Sequence, residues 1–424
     1  MREEEKKFSC VLDRFEGNPI LEPETTHSWE SKAVFNPAAL YEGGKVHIVY
    51  RAIGDSDISV FGYASSVDGF YIDERLPEPI YVPREPFEGS GLLSSMPSYH
   101  QRTYVPTEDE SYESYVSGGG WGGCEDPRLT RIDDRIFMTY VAFDGYSPPR
   151  IALTSIHVND FLAKNWQWKK SVLISLPGVV NKNACILPER INSKYVILHR
   201  IFPNILVDFV DDLDFDGTTR WLKGEFKIQP RASYWDSRKI GAGAPPIKTA
   251  DGWLLIYNGV DERDPSRYKI GAMLLDLKAP TKVLFRSKEP ILEPLAWYEN
   301  EGWKSGVIYP CGTVVIEDRL LVYYGGADKV ACVASAKLGE LLDQLVGRRE
   351  VAPAPVYALP AEAGIAPVIP TPIKRVQGYC VKCRSKREMR NARAITMKNG
   401  KPATQGVCSV CGSKMFRIMK AGRE

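Results

Sequence analysis

The sequence predicts an all-β fold, a five-bladed β-propeller followed by a small zinc-ribbon-like domain. Three observations carry this expectation. Five segments are built to one plan, beginning at Asn36-Pro-Ala-Ala-Leu, at Asp126 within Gly122-Gly-Cys-Glu-Asp-Pro-Arg-Leu-Thr130, at Asn183-Ala-Cys-Ile-Leu, at Ala244-Pro-Pro-Ile-Lys and at Pro310-Cys-Gly-Thr-Val. They recur at intervals of 90, 57, 61 and 66 residues, a spacing expected of repeated β-units set around an axis. Two Cys-x-x-Cys pairs then stand near the C-terminus.

Each segment opens on a small or polar residue and a short apolar run, which predicts an inner strand. A charged turn follows: Glu42-Gly43-Gly44-Lys45, Asp133-Asp134-Arg135, Asn192-Ser193-Lys194, Asp251-Gly252 and Glu317-Asp318-Arg319. Asp, Asn and Gly tolerate the left-handed backbone that tight hairpins need. A second apolar strand closes on an aromatic or His residue, at Tyr50, Tyr140, His199, Tyr257 and Tyr323-Tyr324. Between the hairpins, 58–65, 150–158, 266–276 and 330–337 alternate apolar and polar residues, as half-buried outer strands do. Residues 83–121 read as a long loop over the channel mouth, with Gly118-Gly119-Gly120 just before the Glu-Asp-Pro run. Residues 338–348 read as a short helix, and 351–371, rich in Pro, Ala and Val, as a linker. The expected domains are therefore 1–349, a linker at 350–375, and 376–424.

Bulk properties narrow the class. At 424 residues, 44% hydrophobic and 25% charged, the chain has the composition of a soluble globular protein. The charged start Met-Arg-Glu-Glu-Glu-Lys-Lys lacks the apolar region of a secretory signal, and no 18-residue apolar run exists to span a membrane. A cytoplasmic protein without a membrane partner is expected, its nine Cys serving as thiols and metal ligands rather than disulfides. The net charge of +2 conceals two electrostatic objects. Residues 374–424 carry 14 Lys/Arg against 2 Asp/Glu, whereas the rest of the chain is net acidic by 10.

Cys380-x-x-Cys383 and Cys408-x-x-Cys411, separated by 24 residues, match the ligand pattern of a four-Cys structural zinc site. A unit of this size has too little core to fold alone, so metal binding would supply the missing free energy. Its basic charge admits a nucleic-acid role. With Tyr379 and Phe416 as its only aromatics a stacking platform is thin, and nucleic acid is not the expected partner.

The chemistry is expected where variable polar ends of equivalent strands converge on the channel. There Asp126 is a carboxylate among arginines, a candidate acid or base. Pro127 biases Asp126 toward an extended backbone, and Arg128 follows at period two on the same strand face.

Several separate runs now resemble one family in the right order: Glu125-Asp126-Pro127-Arg128, Asn36-Pro37-Ala38, Val49-Tyr50-Arg51-Ala52, Gly241–Pro246 with Asp251-Gly252-Trp253, and Tyr324-Gly325-Gly326-Ala327-Asp328. Over about residues 10–340 they look like glycoside hydrolase family 130, the β-mannoside phosphorylases and related hydrolases. The resemblance implies inverting phosphorolysis of a β-mannoside by inorganic phosphate, the co-substrate, to α-mannose 1-phosphate and a shortened acceptor. It implies no catalytic metal and a homo-oligomer. Carried over by motif, Asp126 is the proton donor, in part of the family acting through a sugar hydroxyl. Phosphate ligands are expected among Arg150, Lys182, Arg200 and Asn258, where Asn258 replaces the His of many family phosphorylases. Sugar contacts are expected from Asn36, Arg51, Glu125, Arg128, Tyr309 and Asp328. Trp121 and Tyr309 are favoured for stacking on sugar over Trp235, Trp253, Trp297 and Trp303. Both β-1,2 and β-1,4 linkages stay open, as does the choice between a manno-oligosaccharide and mannosyl-glucose. A hydrolase on the same scaffold would need a second carboxylate, for which Asp55, Asp144 and Asp261 are candidates. A carbohydrate-binding propeller without catalysis is the remaining alternative.

Overall fold

The computed structural model describes residues 12–92, 119–348, 377–396, 402–408, 410 and 413–418. Residues 93–118 of the expected loop, the linker at 350–375, and Cys411 lie outside the described residues. The chain divides into two units, Met1–Val351 and Ala352–Glu424.

The first unit begins with β1 (Asp13–Arg14). Blade 1 is β2 (Ala33–Glu42), β3 (Lys45–Ile53), β4 (Ile58–Ser66) and β5 (Glu74–Arg75). Blade 2 is β6 (Gly122–Ile132), β7 (Arg135–Phe143), β8 (Arg150–His157) and β9 (Val172–Leu173), with a short helix α1 (Val158–Leu162) after β8. Blade 3 is β10 (Lys182–Ile186), β11 (Tyr195–Ile201), β12 (Asn204–Val210) and β13 (Phe226–Ile228). Blade 4 is β14 (Lys239–Ala242) and β15 (Ile247–Lys248), both on β16 (Trp253–Asp261), then β17 (Asp264–Leu275) and β18 (Val283–Arg286). Blade 5 is β19 (Ile308–Ile316), β20 (Arg319–Gly326) and β21 (Val330–Lys337), followed by α2 (Leu338–Val346). Its fourth strand is β1, which pairs Asp13 with Ser335 and Arg14 with Ala334. The two ends of the propeller sequence are thus joined in one sheet.

Five apolar cores show that the ring is closed. One core lies between each successive pair of blades, and the last, with Val34, Ile48, Val314 and Leu321, lies between blades 5 and 1. Each blade meets a neighbour on both faces, so the strands expected to be half-buried near 58–65, 150–158 and 330–337 are buried almost throughout, their Ser and Thr residues included. The hairpin turns have the expected chemistry: Gly43, Gly44, Asp133, Asn192, Ser193 and Glu317 all adopt positive φ.

The aromatic or His residue that ends each second strand has a common task. Tyr50 donates to Glu30 at 2.8 Å, Tyr140 to Glu88, Tyr257 to Asp236 at 2.7 Å and Tyr324 to Glu299 at 2.8 Å. In blade 3, His199 meets Asp208 at 2.7 Å. In three blades an arginine on the outermost strand completes the set: Arg75 on Glu30, Arg286 on Asp236 and Arg14 on Glu299. These carboxylates are buried and satisfied several times over, as a buried charge requires. They tie the loop feeding each of these inner strands to the middle and outer strands of its blade.

The second unit contains β22 (Gln377–Cys380), β23 (Ser385–Thr396), β24 (Pro402–Cys408) and β25 (Lys414–Ile418), in sequence order in one antiparallel sheet. Among the described residues no helix is long and apolar enough to cross a membrane.

Candidate active site at the propeller axis

The inner strands share one irregularity. Register shifts fall between Phe35 and Ala38, Glu125 and Arg128, Lys182 and Cys185, and Pro310 and Gly312. Blade 4 makes the same break by ending β14 at Ala242 and resuming as β15 at Ile247. At the first three breaks Asn36, Asp126 and Asn183 have φ of +49°, +52° and +60°. Asn and Asp are the non-glycine residues that best tolerate this backbone. Asp126 is therefore left-handed, not extended as Pro127 predicts from sequence. The bulge sets two residues against one, and the contacts it creates outweigh the local bias from Pro127. It also breaks the period-two relation expected between Asp126 and Arg128.

These bulges gather side chains from different blades. Asp126 is almost fully buried, and its Oδ1 accepts from Asn36 Nδ2 at 2.7 Å and lies 3.5 Å from Arg51 Nη1. Arg51, wholly buried, also reaches Glu125 Oε1 at 2.9 Å and Ser59 Oγ at 3.0 Å, and stacks 4.8 Å from the Phe35 ring centroid. Lys182 Nζ of blade 3 is 3.7 Å from Glu125 Oε2. Arg128 donates to its own strand at Asp126 O (2.7 Å) and across to Gly243 O of blade 4 (3.0 Å). It lies 5.5 Å from the ring centroid of Tyr309 in blade 5. All five blades thus meet at this cluster. Burial disfavours charge on Asp126, but Arg51 and Arg128, with Asn36 and Lys182, together hold its carboxyl below the usual value.

Asp328, in the left-handed turn Ala327-Asp328 between β20 and β21, is a second buried carboxylate. Burial raises it to about 6, opposed by Lys304 and Arg51 and reinforced by Asp126 and Glu125. It thus lies within electrostatic reach of Asp126 and Glu125 on β6.

A cationic group lies alongside. Arg200 pairs in register with Lys182, and its Nη1 is buried with no hydrogen-bond partner among the described residues. Lys239 Nζ and Lys304 Nζ stand 4.7 and 5.1 Å from the ring centroid of Tyr268. Burial would raise the Tyr268 phenol, but Lys239, Lys304 and Arg200 together bring it down to about 7. Lys239 itself is lowered by burial. Burial pushes the Tyr309 phenol up, opposed by Arg128 and Arg200, so it lies within electrostatic reach of both groups.

Sequence reasoning missed Lys239, Tyr268 and Lys304. One signal for Lys239 was present: it opens the inner strand of blade 4 as Lys182 opens that of blade 3. Tyr268 and Lys304 fall outside the repeated hairpin motif and carry no such mark.

Other expected residues are placed differently. Arg150 opens β8, but its guanidinium donates twice to Ser175 O and lies 4.7 Å from the Trp221 ring centroid. Asn258 is fully buried; its Oδ1 accepts from Asn183 at 3.1 Å, and its Nδ2 has no partner among the described residues. Trp235 and Trp253 fill blade interiors, whereas Trp297 and Trp303 are exposed. The three carboxylates considered for a hydrolase are committed to turns or their flanks. Asp55 accepts from Ser31, Asp144 caps the amides of Tyr146 and Ser147, and Asp261 is paired with Arg263.

A buried carboxylate, a second carboxylate and a set of cations converge where the five blades meet, an arrangement suited to a carbohydrate-active enzyme. The chain belongs to glycoside hydrolase family 130, whose family model, described as beta-1,4-mannooligosaccharide phosphorylase, matches residues 107–346. It is 38% identical over 343 residues to the 1,2-beta-oligomannan phosphorylase of Thermoanaerobacter sp., covering 78% of this chain and 98% of that one. It is 31% identical over 363 residues to the beta-1,4-mannooligosaccharide phosphorylase of Ruminococcus albus, covering 82% and 95%. The structure of beta-1,2-mannobiose phosphorylase from Listeria innocua, in complex with beta-1,2-mannobiose, superposes with a TM-score of 0.58 at 26% identity, covering 79% of this chain and 99% of that chain. Residues 379–418 match a model of a domain of unknown function.

Proposed function

We propose that the chain performs inverting phosphorolysis of β-1,2-linked mannosides. As a member of its family it is an enzyme, a phosphorylase of β-mannosides. The β-1,2 linkage rests on similarity: the relatives that act on it are 37–38% identical, against 31% for the β-1,4 relative. One observation in the geometry carries the phosphorolysis. Lys182 acts on the buried Asp126, Arg200 pairs in register with Lys182, Lys239 and Lys304 flank Tyr268, and a buried Arg200 nitrogen is left for an anion to accept from. An inverting hydrolase needs a second carboxylate to activate water; in this reading Asp328 holds the sugar instead, and phosphate is already an anionic nucleophile.

In this reading phosphate rests on Lys182, Arg200, Lys239 and Lys304, with Tyr268 as a neutral donor. Arg150 and Asn258 do not share its first contacts. A phosphate oxygen bonds to C1 of the mannosyl unit from the α face as the glycosidic C1–O bond breaks. The proton of Asp126 passes to the departing oxygen, directly or through a sugar hydroxyl. Asn36, Arg51 and Asp328 hold the sugar; Glu125 orients Arg51, and Arg128 braces the Asp126 backbone and Tyr309. Incubation of the protein with phosphate and either β-1,2- or β-1,4-mannobiose tests the linkage. Faster consumption of the β-1,2 disaccharide is expected, and preference for β-1,4 would reverse the assignment.

A pH dependence follows from Tyr268. Below about 7 its phenol is neutral and donates to phosphate; above it, the phenolate competes with phosphate for the same cations. The KM for phosphate is expected to rise as pH goes from 6 to 8.5, beyond what phosphate's own ionisation gives. Tyr268→Phe should flatten that rise while weakening phosphate binding at pH 6. A wild-type KM profile identical in shape to that of the variant contradicts this.

For the second unit we propose one structural zinc on Cys380, Cys383, Cys408 and Cys411. The first three Sγ atoms lie within 4.8 Å of one another, and Cys383 and Cys408 are 3.9 Å apart. Tetrahedral thiolates at about 2.3 Å from zinc would be separated by about 3.8 Å. The Cys383 amide donates to Cys380 Sγ at 3.4 Å and the Val410 amide to Cys408 Sγ at 3.5 Å, bonds that stabilise thiolates. Elemental analysis should find one zinc per chain, lost in Cys383→Ser, with the isolated loss destabilising residues 377–418. Metal-free protein purified without chelators would contradict the assignment.

A further inference from the structure

The cluster at the axis accounts for the reacting bond but not for what holds the sugar beyond it. Trp303 is a large aromatic side chain 62% exposed to solvent. Its position is fixed from two directions. A Cβ built on Gly119, where φ is +81°, would lie 3.0 to 3.2 Å from the indole atoms Cδ2, Cε3 and Cε2, so the glycine backbone lies against the six-membered ring. The next residue, Gly120, is pressed on the active site: a Cβ there would lie 2.9 Å from Ser59 Oγ and 3.3 Å from Arg51 Nη2. On the other side, the amide of Lys304 donates to Ala327 O at 3.0 Å, beside Asp328. Lys304 turns to Tyr268 and Asp328, and Trp303 turns to Gly119. The indole therefore stands near Arg51 and Asp328, backed by Gly119 and otherwise exposed among the described residues.

We propose that Trp303 is the platform for the acceptor-side mannosyl unit of the substrate, a specificity determinant that rests on the phosphorylase reading above. The assignment follows from the side of the site. Asp126 protonates the departing oxygen directly or across one sugar hydroxyl, so the acceptor departs within reach of the Asp126–Arg51 group. Gly120 touches Arg51 and Gly119 touches Trp303, which puts the indole on that side. An aromatic face backed by the protein takes the C–H face of a pyranose while leaving its hydroxyls to water and polar neighbours. A side chain at Gly119 would be strained at its φ of +81° and tight against the ring, which would have to give way slightly.

The test compares wild type, Trp303→Ala and Trp303→Phe in phosphorolysis of β-1,2-mannobiose and β-1,2-mannotriose, and in the reverse direction with α-mannose 1-phosphate and mannose as acceptor. Trp303→Ala is expected to raise the KM for oligosaccharide and for acceptor about tenfold, the effect of losing one good contact. Trp303→Phe should stay within about threefold of wild type, and KM for phosphate should move less than twofold in both. An acceptor KM in Trp303→Ala equal to that of wild type overturns the platform. A parallel rise in the phosphate KM also overturns it, by assigning Trp303 to the build of the rim. Failure of wild type to make mannose 1-phosphate from any β-mannobiose overturns the parent reading, and is recognised before any variant is compared.

Discussion

Asp126→Asn is expected to lower turnover of β-mannobiose by about 10³-fold, the scale of a lost general acid. The substitution is close to isosteric and keeps an acceptor for Asn36 and Arg51, and Glu125 still anchors the guanidinium, so the fold should persist. Two readouts separate a lost proton from lost structure. Binding of phosphate, followed by calorimetry, should survive in the variant. The deficit should also shrink sharply with 4-nitrophenyl β-mannoside, whose leaving group departs without protonation. An equal deficit on both substrates would mean that Asp126 positions the sugar rather than protonating the leaving oxygen. The carboxyl must gain its proton against Arg51 and Arg128, which hold it ionised in the free protein. Phosphate supplies the compensation: an anion beside Lys182 and Arg200 offsets part of that positive field and raises the carboxyl. The sign is testable, since phosphate binding to wild type should take up protons and binding to Asp126→Asn should take up fewer.

Removing the anion site gives the second large effect. Lys239→Met keeps the aliphatic stem and deletes the charge, and Arg200→Ala deletes the unpartnered donor. Each charge-assisted contact contributes about 1.5–3 kcal/mol, so KM for phosphate should rise roughly 10- to 100-fold in either variant. KM for the mannoside should change little, because neither side chain is placed against the sugar. Lys239→Met should also return Tyr268 toward the ordinary phenol range, moving the pH dependence of phosphate binding upward. An unchanged phosphate KM in both variants would remove Lys239 and Arg200 from the site.

Much of the fold was written in the repeats. The charged turns and the aromatic that ends each second strand placed the hairpins because both are local features with a fixed period. What each aromatic does was hidden: Glu299 and Arg14 are 285 residues apart, and no local pattern announces that they meet at Tyr324. Pairing of β1 with β21 was hidden for the same reason. At the site, Asp126, Arg51 and Asn36 were readable from family motifs, but the left-handed bulges that aim Asn36 and Asp126 inward were not. Pro127 argued locally for an extended residue, and a tertiary requirement overrode it. Tyr268 and Lys304 became visible only when blades 4 and 5 were set side by side. The Cys spacing predicted a knuckle, and the amide-to-sulfur bonds at Cys380 and Cys408 fit it.

The central claim is that a phosphate ion, not water, takes the mannosyl group at this axis. It is tested most directly by phosphorus NMR of a reaction of the full chain with β-1,2-mannobiose and phosphate, beside a reaction without phosphate. The account predicts α-mannose 1-phosphate and an equal amount of mannose in the first, and intact disaccharide in the second. Mannose released at the same rate in both, with no sugar phosphate, would contradict it and assign the cations at Tyr268 another purpose.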